Sequence, residues 1–150
     1  LFLGGIALIG IELWHKSKFQ TKGNIEEITV KNALLIGIFQ SLSVIPGVSR
    51  AGATILGALV LGANRKTAAE FSFILAIPTM LGATALDIFE TRLNFSLNEL
   101  FLLFIGFLAS FIFAAASVKL LIKYLTKHSF TAFGIYRIAI ATAFWLIYLR

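Results

Sequence analysis

The chain has 150 residues, 59% of them hydrophobic and 13% charged, with a mean hydropathy of +0.93. A water-soluble domain is closer to half apolar and a quarter charged, so too little polar surface exists to coat a soluble globule and the expected solvent is the bilayer. The net charge of +6 is dispersed along apolar segments, not gathered in one stripe, which argues against a nucleic-acid partner, and the absence of cysteine excludes disulfides and thiolate metal sites.

Residues 1–14 read as the end of a membrane helix already under way. They have no basic lead and no small-residue cleavage site, so no signal peptide is expected and the chain reads as the C-terminal piece of a longer protein. Residues 15–31 are polar, with Lys16, Lys18, Lys22 and Lys31, and read as a loop. Residues 32–64 are apolar but interrupted: "NALLIGIFQSLSVI", then "PGVSRAG", then "ATILGALVLGAN". A crossing helix needs about 20 apolar residues, and neither half reaches that alone. Residues 67–86, 100–122 and 131–149 read as spans, the first carrying Pro78 and the last carrying aromatic residues near its end. Between the first two lies an acidic loop, 87–99, with Asp87, Glu90 and Glu99 against Arg92; Lys119, Lys123 and Lys127 share one face at the end of the second.

Loop charge decides how 32–64 is threaded. The basic loops 15–31 and 123–130 should be cytoplasmic and the acidic loop outside. Residues 67–86 supply one crossing, so 32–64 must supply an even number. This predicts a re-entrant helical hairpin in an all-α, polytopic integral membrane protein.

The break itself is chemically loaded. Pro46 lacks an N–H and disfavours helix in the residue before it. Gly47 permits a sharp turn and close approach to the backbone. Ser49 is placed to cap a second half-helix, with Arg50 in its first turn. Free amides and the positive end of a helix dipole would then meet within the membrane, beside a guanidinium fork and the hydroxyls of Ser49 and Thr54. A buried arginine costs about 3 kcal/mol or more on insertion scales and is functional by default. The pattern predicts an anion site, with Gly47, Val48 and Gly52 as the substrate-binding positions of the break. A packing kink is the competing reading.

Other charges are weaker candidates. Arg137 lies within a span and needs either a partner or a watery pocket; structural pairing and function both remain open. Glu70 reads as a loop-end carboxylate, with an in-membrane base as the alternative. Glu12 reads as reaching the interface. Gln40 and Ser43 precede the break and either face the same pocket or glue helices. His15 and His128 sit beside lysines in polar loops. No metal-ligand or P-loop motif is present.

The stretches "GIFQSLSVIPGVSRAGATILGALVLG" (37–62), "AAEFSFILAIPTMLGA" (68–83) and "SFTAFGIYRIAIA" (129–141) resemble, in order, the bacitracin-resistance family of bacterial undecaprenyl-diphosphate phosphatases. The resemblance implies an inner-membrane enzyme of two inverted repeats, each with a re-entrant hairpin, removing the terminal phosphate of a C55 polyprenyl diphosphate to recycle the lipid carrier of peptidoglycan synthesis. It makes Ser49, Arg50 and Thr54 the active-site residues of the second hairpin. Ser49 is then either an orienting hydroxyl or the nucleophile. It also implies a divalent cation, magnesium or calcium, whose carboxylate ligands belong to the first repeat, so no metal ligand is assigned in this chain. The expected partners are the polyprenyl diphosphate, the bilayer and the N-terminal half of the same protein, with a homodimer left open. Without that half the polypeptide is expected to be inactive. Ala51 departs from the family, which usually has serine there. The alternative is a transporter or flippase for an anionic lipid or small anion, and a third reading gives the hairpin a packing role alone.

Overall fold

The computed structural model describes residues 1–18, 24–91 and 95–148, the side chains of 15–18 and 91 excepted. The side chains of His15, Lys16 and Lys18, the whole of Lys22 and Arg92, and the last residue of the predicted 131–149 span lie outside what the structure describes. Among the described residues there are six α-helices and no strand: α1 (Phe2–Lys18), α2 (Val30–Ser41), α3 (Arg50–Val60), α4 (Arg65–Thr91), α5 (Leu97–Leu125) and α6 (Thr131–Tyr148). Helix boundaries run past the apolar runs that predict them. α1 continues to Lys18, beyond residue 14, and α4 to Thr91, beyond residue 86, because helix propagation does not require apolar residues.

Three helices, α4, α5 and α6, are long and apolar enough to cross a membrane. With 27, 29 and 18 residues, and a rise of about 1.5 Å per residue, the first two exceed a hydrocarbon core of about 30 Å. The far half of α4 and almost all of α5 are exposed, with Phe89, Leu97 and Phe113 prominent. Such a surface is too apolar to face water. α5 starts with a capping box: Ser96 Oγ accepts the Glu99 amide, and the Glu99 carboxylate accepts the Ser96 amide at 2.8 Å.

α2 and α3 form the hairpin. Phe39 lies over Gly57 and Gln40 faces Thr54, so contacts converge as the chain runs back, as antiparallel arms require. At 12 and 11 residues, each arm is about half the length needed for a crossing. α3 ends in a Schellman motif: Gly62 at φ +92°, its amide on the Leu59 carbonyl, and the Ala63 amide on that of Ala58. Asn64 then caps α4 by accepting the Thr67 amide at 2.8 Å. The core is small-residue-rich: Ala58, Ala68 and Ala69 pack with Leu8, Ile36, Leu59, Leu125 and Phe130.

Two devices hold α1 to the rest. The first is close backbone approach to α6. A Cβ on Gly5 would stand 2.8 Å from the Gly134 carbonyl, and one on Gly134 would stand 2.6 Å from Ile9; small residues let membrane helices meet in this way. The second is Glu12. It is not free at a surface: it is 3% exposed, pairs with Arg65 at the start of α4, and accepts the Phe130 amide leading into α6 at 3.2 Å. The single-helix reading failed here because its partners come from residues 53 and 118 positions away. Glu70 forms an i,i+4 pair with Lys66 at 3.6 Å, as a loop-end carboxylate would.

Gly134→Val forces Ile9 and the Gly5 carbonyl aside and should lower stability by about 1–3 kcal/mol. Gly10→Ala meets nothing within 4 Å and should not. Thermal unfolding in detergent measures the difference.

Candidate functional site

The break between the arms is built by local chemistry. α2 gives way to one 3₁₀ turn, Leu42–Val44. The Val48 amide then bonds the Ile45 carbonyl at 3.0 Å across Pro46 and Gly47, with Gly47 at φ +87°. Proline second and left-handed glycine third is the pattern of a type II turn. Ser49 is the N-cap of α3: its backbone is extended and its Oγ accepts the Gly52 amide at 3.1 Å. The amides of Arg50 and Ala51 belong to the first turn, where no intrahelical carbonyl can reach them.

A cavity of about 710 Å³ opens at this end of α3. Gly47, Val48, Ser49, Gly52 and Arg137 line its polar end; Leu8, Ile11, Phe39, Leu56 and Val60 are among its apolar walls. Arg137 on α6 is the cation that sequence reasoning left open. Its guanidinium stands where a Cβ on Gly4 would come within 2.8 Å and one on Gly52 within 3.4 Å, so two glycines make its room. Its Nε is buried without a hydrogen-bond partner, a costly state for a donor. Pairing by a carboxylate, one of the two readings left open, does not occur at this nitrogen.

Arg50 and Thr54 stand elsewhere. Neither lines the cavity. Arg50 opens α3 on the side that faces α4, where its Nη1 donates to Thr79 Oγ1. Thr54 is 1% exposed. Its hydroxyl donates to the Arg50 carbonyl at 2.9 Å and lies 3.4 Å from the Gln40 side chain. It joins the two arms and holds the Arg50 backbone. Gln40 serves the same junction. His128 is exposed, stacked on Tyr124 with ring centroids 4.2 Å apart, and remote from the cavity lining. Among the described residues no group of three or more His, Asp or Glu side chains could hold a metal.

Sequence reasoning missed Thr79. The only signal was its place directly after Pro78, in the middle of a span.

The fold and this site define a polytopic α-helical membrane protein with a helix N-terminus flanked by two arginines, a geometry suited to an anion. The family described as bacitracin resistance protein BacA matches residues 1–143, and the chain belongs to it. It is a multi-pass protein of the bacterial inner membrane. Undecaprenyl-diphosphatases are similar throughout: that of Sulfurihydrogenibium sp. is 50% identical over 99% of this chain and 59% of its own length. That of Campylobacter jejuni is 51% identical over 99% and 56%, and that of Aquifex aeolicus 46% over 99% and 58%. The chain thus spans a little over half the length of these relatives.

If Arg137 waits for an anion, inorganic pyrophosphate should raise the melting temperature of the detergent-purified full-length protein. Arg137→Leu should weaken that binding about tenfold or more, and an unchanged shift would remove Arg137 from the site.

Proposed function

We propose that the full-length protein hydrolyses undecaprenyl diphosphate to undecaprenyl phosphate and inorganic phosphate, recycling the lipid carrier of peptidoglycan synthesis, and that this chain supplies the second-hairpin half of its active site. The observation that carries the reading is the Ser49-capped start of α3 with Arg137 at the cavity and Arg50 on the side that faces α4, in a chain about half identical to proteins named for that activity.

In this reading the hairpin is re-entrant, entering and leaving from the cytoplasmic side, and the diphosphate meets the first-turn amides of α3. The two guanidiniums offset negative charge on the non-bridging oxygens as the terminal P–O bond to the bridging oxygen breaks and water oxygen becomes bonded to phosphorus. The Oγ of Ser49 already accepts the Gly52 amide, so its proton is free to donate to a phosphate oxygen. This supports an orienting hydroxyl over a nucleophile. Thr54 acts behind the site, through the Arg50 backbone. The apolar walls of the cavity suit the first isoprene units of the lipid. A divalent cation, if the enzyme uses one, draws its ligands from outside the described residues, and the steps above do not pass through it.

The test is phosphate release from polyprenyl diphosphate by the full-length protein in detergent. Arg50→Ala should abolish release while the protein still inserts and folds, and Arg50→Lys should remain poor because an ammonium lacks the bidentate fork. Retained release in Arg50→Ala would remove Arg50 from its role. Movement of intact lipid across vesicles with no phosphate freed would favour a flippase.

A further inference from the structure

Arg50 is a long, flexible side chain at the mouth of a break, yet it is held at both ends. Its carbonyl accepts the Thr54 hydroxyl at 2.9 Å, and its Nη1 donates to Thr79 Oγ1, 29 residues away on α4. Thr79 is unusually well suited to receive it. A threonine hydroxyl has one proton and two lone pairs. The proton of Thr79 is committed to its own helix, where the Leu75 and Ala76 carbonyls both lie 3.0 Å from Oγ1. The oxygen therefore presents only acceptor character to Arg50. Pro78 precedes it inside α4; a proline there cannot donate to the carbonyl four residues back and pushes it away, which loosens the backbone just where the threonine turns its hydroxyl.

We propose that Thr79 is a positioning residue: it fixes the rotation of the Arg50 guanidinium, so that the remaining donors of its five N–H groups point at the phosphate. This rests on the reading of Arg50 as a diphosphate ligand. A guanidinium oriented in advance loses less freedom when it binds, and a small misorientation is costly in phosphoryl transfer. The hydroxyl touches no reacting atom and acts wholly through Arg50.

The experiment is a double-mutant cycle on the full-length enzyme in detergent, with undecaprenyl diphosphate as substrate and the melting temperature recorded for each variant. Thr79→Val keeps the shape and removes the acceptor; it should lower kcat/KM about 10- to 100-fold, the range for a hydrogen bond to a charged group, with the melting temperature nearly unchanged. Thr79→Ser should stay within about threefold of wild type, because the acceptor is retained. In an Arg50→Lys background, where there is no fork to orient, Thr79→Val should cost less than about threefold more. Wild-type kcat/KM in Thr79→Val beside a crippled Arg50→Lys overturns the Thr79 role alone, as does an equal loss in both backgrounds. Wild-type kcat/KM in Arg50→Lys overturns the parent reading of Arg50 and this inference with it. Should Thr79→Val and Thr79→Ala both fail to give folded protein, Thr79 is structural and the proposal fails.

Discussion

A peptide amide in hydrocarbon must find a partner or carry a penalty of several kcal/mol, and the start of a helix has amides with no partner of their own. Most membrane helices begin at the interface, where water serves. α3 begins at the turn between two arms that are each too short to cross. Ser49 satisfies the Gly52 amide, while the amides of Arg50 and Ala51 have no carbonyl within the helix to reach. What surrounds them follows from that deficit: a turn made by Pro46 and Gly47, a cavity and two arginines.

Holding such a start in place takes packing that tolerates no slack. Phe39 covers Gly57 between the arms, and Thr54 ties Gln40 to the Arg50 backbone. α1 is pressed on α6 at Gly5 and Gly134, which brings Arg137 to the cavity beside Gly4 and Gly52. Glu12 fastens the same pair of helices to α4 through Arg65. The helices around the break are thus closely packed. α5 with the far half of α4 is an exposed apolar surface.

Much of this was legible in the residues. Long apolar runs announce helices whatever surrounds them, and Pro46, Gly47 and Ser49 announce a turn and a cap because each acts within a few residues of itself. Contacts between distant segments were not legible. Glu12 looked like an interfacial carboxylate because Arg65 and Phe130 meet it only in the folded chain. Thr54 was read into the site for its hydroxyl and by the resemblance; that its hydroxyl bonds back to the carbonyl of Arg50 four residues earlier was not visible in sequence. Arg137 could be seen to need a reason for being in a span, but nothing in sequence said that two glycines would make room for it beside α3. Thr79 carried no period or charge at all.

Because the chain has no cysteine, single cysteines placed at Asn24 and Lys66, in a full-length protein otherwise freed of them, can be probed in intact vesicles with a membrane-impermeant thiol reagent. Labelling of both from the same side is the expected result, since α2 and α3 must then enter and return. Labelling from opposite sides would make residues 30–60 a crossing helix and leave the start of α3 without its place at mid-depth.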